Sequence, residues 1–285
     1  MQKIWVCGAR GQIGQAVNDV VDKLEFEMLD TDVDDLDVTD TDEVLRFGEM
    51  NRPDIIINCS GMTDISSCEE NPSQAFKVNA LGARNLAIVA AKMQAKMVQL
   101  STDDVFDGKS TEPYTEFDIT NPGTVYGKSK LAGENYVKEF TTKHFIVRST
   151  WVYGKGQNFI NGFLKKVDAG EQLSIASDQF GSPTSANELA RFLLHLVHTS
   201  EYGTYHATNK GVCSRYAFAQ EILKMTGKTA SMQPVPTVMS DFSKVRPAYA
   251  VLDNFIMSMV PIYDFPDWQD SLREYLEERG LYYAE

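Results

Sequence analysis

Through the first half of the chain, short runs of consecutive apolar residues alternate with stretches whose apolar positions recur every three or four residues. Ile4–Cys7, Phe26–Leu29, Ile55–Cys59, Met97–Leu100 and Phe145–Val147 read as strands. Several are apolar on successive positions, as expected where helices cover both faces of a sheet. Ile13–Leu24 reads as the first helix, and a second begins near Asp40, where Glu43 three residues on forms a capping box. A third runs from Asn71 to about Ala95 with Pro72 at its first position, and a fourth from about Thr124 to Phe140. This β-α-β-α rhythm predicts an α/β fold, a Rossmann-type doubly wound parallel sheet with right-handed crossovers.

After Trp151 the rhythm loosens. Helices are expected at Phe159–Ala169, Asn187–His198, Tyr216–Thr226 and Trp268–Arg279, with short strands at Leu173–Ala176 and Gly203–Ala207. Five prolines between Pro234 and Pro266 break up the remainder. Residues 1–150 are therefore expected to form a dinucleotide-binding domain. Residues 151–285 are expected to form mainly a smaller C-terminal substrate-binding lobe, with some segments returning to the first domain.

Composition narrows the class. The 285 residues carry a net charge of −13, which argues against a nucleic-acid binder because phosphate backbones reward clustered Lys and Arg. No apolar stretch approaches the ~18 residues of a membrane span, and the N-terminus reads as a buried strand, so a cytoplasmic protein is expected. Cys7, Cys59, Cys68 and Cys213 form no CxxC pair and read as free thiols. The four histidines are scattered, and no metal site is expected.

The chemistry begins at Gly8-Ala9-Arg10-Gly11-Gln12-Ile13-Gly14, which follows the first strand and opens the first helix. Glycines there permit a tight turn, close approach of a pyrophosphate to the backbone, and close helix–strand packing. The anion then sits on unpaired amides at the positive end of the helix. The spacing, GxxGxxG, favours the short-chain dehydrogenase variant of the turn. Asp30 and Asp32 end the second strand, where a carboxylate accepts from a ribose 2′-hydroxyl and repels a 2′-phosphate. Arg10 pulls the other way, since a guanidinium could clamp that phosphate. Between NADH and NADPH, the balance favours NADH.

Tyr126 and Lys130 stand four apart on one helix and so share a face, whereas Lys128 projects elsewhere. A phenol is a poor proton relay near neutral pH unless a neighbouring ammonium stabilises its phenolate. Ser101-Thr102-Asp103-Asp104 follows the fourth strand at the sheet's carboxyl edge, where ligands of doubly wound folds bind. A hydroxyl at that point suits a substrate carbonyl; it would equally serve as a turn or helix cap.

These motifs resemble the extended short-chain dehydrogenase/reductases, and within them the dTDP-4-dehydrorhamnose reductase family. The resemblance also rests on Leu36-Asp-Val-Thr39, Ser101–Gly108, Val125–Glu134, Arg148–Gly154, Asn158-Phe159, Asp178–Thr184 and Arg246-Pro247. It implies reduction of the 4-keto group of a dTDP-6-deoxy-4-hexulose by NADH or NADPH, giving dTDP-L-rhamnose. It makes Thr102, Tyr126 and Lys130 the catalytic trio and places Asp37 and Val38 near the adenine. Ser60, Gly61 and Thr63 would line the nicotinamide side, while Asp104, Trp151, Asn158 and Gln179 would meet the sugar nucleotide. Lys165, Lys166 and Arg246 are candidates for its diphosphate, and a homodimer is the common state of related reductases.

The chain departs from the family pattern at Asp104, at Asn58-Cys-Ser-Gly-Met-Thr63 and at Gly123-Thr124. All three fall near the substrate end. Thr102-Asp103-Asp104 imitates the Thr-Asp-Glu of sugar-nucleotide 4,6-dehydratases, which keeps that activity open. So does a non-catalytic NAD(P)-binding regulatory subunit, which the same superfamily contains.

Overall fold

A computed structural model of the chain describes residues 1–239 and 248–283. Its central sheet has six parallel strands: β1 (Gln2–Cys7), β2 (Phe26–Thr31), β3 (Ile55–Asn58), β4 (Lys96–Thr102), β5 (His144–Ser149) and β6 (Gly203–His206). Their order is β6-β5-β4-β3-β1-β2, so the chain winds outward from β1 in both directions. The α/β class and the parallel sheet are those read from the apolar runs.

Side chains alternate across the sheet and fill two separate layers. Ile4, Val6, Ile55, Ile57, Val98 and Leu100 face helix α1 (Gln12–Val20) and the helix Ala186–Val197. Trp5, Cys7, Ile56, Met97 and Ile146 face the opposite layer, with Leu86, Val89, Ala90 and Val137. The C-terminal half thus contributes both a strand and a covering helix to the main sheet. A second apolar centre unites Ile160, Phe163, Leu173, Phe218, Ile222, Trp268 and Leu272. Among the described residues, no helix is long and apolar enough to cross a membrane.

Two helical boundaries differ from expectation. Helix α1 ends at Val20, because the Asp22 carboxylate accepts a bond from the Leu24 amide and forms a turn there. The stretch Asn71–Ala95 is not one helix: Pro72–Phe76 and Ala83–Met93 flank a π-helical turn at Lys77–Gly82. Asp40 does cap the second helix (Thr41–Asn51), accepting from the Glu43 amide, but the Glu43 carboxylate receives the Asp37 amide instead of closing a capping box.

Candidate active site

All six strands run the same way, so their carboxyl ends form one edge, and a cavity of about 890 Å³ opens there. Its floor is the glycine turn. Gly8 has φ +77°, and a Cβ on it would lie 2.7 Å from the Ser60 amide nitrogen; one on Gly14 would lie 2.4 Å from the Gly8 carbonyl oxygen. Neither position admits a side chain. Arg10, Gly11, Gln12 and Ile13 line the cavity at the start of α1, and among the described residues the buried Gln12 Oε1 has no hydrogen-bond partner. A glycine cradle that admits no side chain, at a helix N-terminus whose amides face the cavity edge, fits a dinucleotide pyrophosphate.

The next wall comes from Ser60, Gly61 and Thr63 after β3. Asn79, in the π-helical turn, holds this segment: its Oδ1 accepts from the Met62 amide at 2.8 Å, and its Nδ2 donates to the Met62 carbonyl at 2.9 Å. The same Nδ2 reaches Ser129 Oγ at 2.9 Å, linking the segment to the Tyr126 helix. The widened turn aims Asn79 at both, a use that π-bulges often serve. Sequence reading missed Asn79, because 3.6-residue periodicity does not reveal where an extra residue enters a helix.

Tyr126 and Lys130 lie on helix α4 (Val125–Phe140), both buried and both lining the cavity. Thr124 caps that helix by accepting from the Gly127 amide. Burial pushes the Lys130 ammonium down to about 8, while Glu134 and Cys59 pull it back up. Glu134, one turn on, is itself held below the ordinary carboxylate range against the effect of burial by Arg148, Ser101 and Lys138. Thr102 also lines the cavity, and its hydroxyl donates to Asp103 Oδ1 at 3.1 Å while accepting from the Asp104 amide at 3.2 Å.

The far wall belongs to the C-terminal half: Trp151, Asn158, Gln179 and Arg215. Trp151 has φ +48°, and its ring is taken up by protein. The Arg215 guanidinium lies 3.5 Å over the ring, and a Cβ on Gly181 would come within 2.8 Å of both ring-fusion carbons. Trp151 thus lines the cavity with its ring packed between Arg215 and Gly181. Asn158 lines the cavity, yet its Oδ1 caps helix Phe159–Asp168 and its Nδ2 donates to the Gly154 carbonyl and Tyr275 hydroxyl.

Several expected residues stand outside the cavity lining. Asp104 is only 1% exposed, in a 3₁₀ turn packed so tightly on α4 that a Cβ on Gly127 would lie 2.0 Å from its carbonyl oxygen. Asp103 lines the cavity instead. Asp30, exposed at the end of β2, and Asp32 flank the glycine turn, where Asp32 accepts the Arg10 amide at 2.9 Å. The exposed Asp37 turns back to the Thr39 amide, and Val38 is core, packed on Gly82. Lys165 and Lys166 do not line the cavity, and Lys166 pairs with Glu171 at 3.2 Å. Arg246 lies outside the described residues.

A glycine turn, a strand-end hydroxyl and a tyrosine–lysine pair around one crevice are the arrangement seen in extended short-chain dehydrogenase/reductases. The match to the family described as RmlD substrate binding domain spans residues 1–280, and the chain belongs to that family. It is 35% identical to the spore coat polysaccharide biosynthesis protein SpsK of Bacillus subtilis (strain 168), over 98% of this chain and 99% of that protein. A solved dTDP-4-dehydrorhamnose reductase from Clostridium acetobutylicum superposes with a TM-score of 0.95 at 40% identity, covering 98% of this chain and all of the other. The dTDP-4-dehydrorhamnose reductase of Bacillus anthracis str. Ames in complex with NADP also gives 0.95, at 35% identity and with the same coverage.

Proposed function

We propose that this protein reduces the 4-keto group of a dTDP-6-deoxy-4-hexulose with NAD(P)H, converting dTDP-4-dehydro-L-rhamnose to dTDP-L-rhamnose. The observation that carries this reading is the placement of buried Tyr126 and Lys130, one helical turn apart, in the same cavity as the glycine turn. The bound dihydronicotinamide would supply the hydride to the substrate's C4. Tyr126 then donates its phenolic proton to the oxygen that gains negative charge at C4. The Lys130 ammonium lowers the cost of the resulting phenolate and would hold the nicotinamide ribose. Thr102 orients the same oxygen when its hydroxyl turns from Asp103 into the cavity. Gly8, Gly11 and Gly14, with the α1 amides, would seat the pyrophosphate, while Ser60, Gly61 and Thr63 would border the nicotinamide.

Dehydration is the weaker alternative. That chemistry would require a second carboxylate beside Asp103, and Asp104 is buried beneath α4, away from the cavity. The test is to supply the 4-keto product of dTDP-glucose dehydration after 3,5-epimerisation, together with NADH or NADPH. Stoichiometric loss of absorbance at the dihydronicotinamide band is expected. Tyr126→Phe should still bind cofactor and lose about 10²–10⁴-fold in turnover, the usual contribution of a positioned proton donor. A variant with full activity would remove Tyr126 from the mechanism.

A further inference from the structure

We propose that Glu134 is a positioning residue for the reduction: clamped by Arg148 and Ser101, its carboxylate is the buried counter-charge that keeps the Lys130 ammonium in the site. The inference rests on the reading of Tyr126 and Lys130 as the proton-donating pair. Lys130 and Glu134 stand four apart on α4, hence on one face, a spacing that puts their Cβ atoms about 5–6 Å apart. Both side chains are buried, Glu134 completely. Glu134 Oε1 accepts from Arg148 Nε and Ser101 Oγ, and Oε2 accepts from Arg148 Nη2. The Lys138 ammonium lies 3.7 Å from the same Oε2. Such a set of donors keeps the carboxylate ionised and fixes where its charge sits.

Stability alone does not account for this cluster. A buried arginine–carboxylate pair is weak ground for stability, since apolar side chains of similar volume often serve a core as well or better. One helical turn away, Lys130 is buried beside Gly61, where an added Cβ would lie 3.7 Å from its Nζ. Burial there favours the neutral amine, and a negative charge nearby opposes that. Other titratable groups face the same space. Cys59, after β3, attracts the ammonium only as a thiolate, and burial pushes that thiol up to about 12. Tyr126 is neutral until it gives up its proton. Of the carboxylates lining the cavity among the described residues, Asp103 receives the Thr102 hydroxyl, and Asp64 caps the helix Ile65–Glu70 through the Ser67 amide. Glu134 is set apart by complete withdrawal from solvent, where a charge is least screened. It does not line the cavity, so it acts through Lys130 and not on the substrate.

The experiment follows the Lys130 ammonium directly, by NMR titration of its Cε signal in the full chain carrying Cε-labelled lysine. The signal is assigned by its absence from Lys130→Met. In the parent the midpoint is expected near 8. Glu134→Gln should lower it by about one pH unit or more, the scale of losing a unit charge at this spacing. That variant strands the Arg148 charge, so the double variant Glu134→Gln with Arg148→Met is measured beside it. With neither charge left buried, the double variant should fold at least as stably as Glu134→Gln and keep the lowered midpoint. Glu134→Asp retains a carboxylate on a shorter stem; it should lose stability in urea while its midpoint stays nearer the parent's. The alkaline limb of kcat/KM should move with the NMR midpoint in each variant. A parental midpoint in Glu134→Gln or in the double variant would overturn the proposal. An equal shift in Glu134→Asp would overturn it too, by marking the effect as packing and not charge. The two readings fail separately. A midpoint that depends on residue 134 without sugar reduction would sink the proposed reaction alone; sugar reduction with a midpoint indifferent to residue 134 would sink this inference alone.

Discussion

Arg148 grips Glu134 through two hydrogen bonds, Nε to Oε1 at 2.9 Å and Nη2 to Oε2 at 2.7 Å, with both side chains buried. Ser101 Oγ donates a third bond to Oε1 at 2.5 Å. The cluster ties the ends of β4 and β5 to the helix that carries Tyr126 and Lys130. Removing one partner would strand a buried charge, so Glu134→Ala should cost about 3–5 kcal/mol of unfolding free energy. Urea titration checks this, and a loss below about 1 kcal/mol would show that the cluster does not hold the site together.

The second expectation concerns pH. Burial pushes the Lys130 ammonium down to about 8, against the pull of Glu134 and Cys59. The charged form is the one that stabilises a phenolate at Tyr126, and it is lost as pH rises through that value. The rate profile of kcat/KM should therefore fall on the alkaline side with a midpoint near 8. Steady-state rates between pH 6 and 10 decide this, and a profile flat to pH 10 would contradict the role given to Lys130.

Cofactor choice follows from the acidic loop. Arg10 Nη1 lies 2.7 Å from Asp34, and Nη2 lies 2.9 Å from Asp35, so the side chain that could clamp a 2′-phosphate is engaged by carboxylates. NADH should bind more tightly than NADPH. Replacing both residues (Asp34→Asn with Asp35→Asn) should move the affinity ratio toward NADPH by up to about tenfold, since exposed pairs are each worth less than about 1 kcal/mol. Fluorescence titration with each cofactor is the check; an unchanged ratio would free Arg10 from any part in the choice.

Much of this was legible in the chain before any coordinates. The runs at Ile4–Cys7 and Ile55–Cys59 announce doubly covered strands because burial on both faces leaves no polar period. Gly8–Gly14 and the Tyr126/Lys130 pair are readable because each is a local pattern whose chemistry depends on spacing along one element. Asn79, Asp104 and Arg215 are different. Asn79 acts through an inserted helical residue, Asp104 is withdrawn by packing against Gly127, and Arg215 reaches the cavity only when Trp151 and Phe159 fold beneath it. Such placements are made by contacts distant in sequence, and local spacing carries no trace of them.

Acid stability offers an independent check on the core. His206 is fully buried, its Nδ1 facing the Tyr114 carbonyl at 3.0 Å and the Asp253 carbonyl at 3.1 Å. Burial, reinforced by the Arg148 charge, pushes its pKa down to about 3. The unfolded chain takes up a proton below about 6.5 while the folded one does not, so stability falls on acidification through that window. At about 1.4 kcal/mol per pH unit, the loss from this group between pH 6.5 and 5 is about 2 kcal/mol. His206→Asn should show a correspondingly shallower decline in denaturant titrations. Parallel declines in the two proteins would mean that His206 is not the group responsible.

The proposed reaction stands or falls on hydride transfer from the dinucleotide to C4 of the sugar within this cavity. NADH deuterated at both C4 positions, incubated with the 4-keto substrate and the purified protein, tests it directly by NMR of the product. One deuterium, bonded to sugar C4, is expected for each cofactor oxidised. A sugar product with hydrogen alone at C4, or an unoxidised cofactor beside altered sugar, would contradict it.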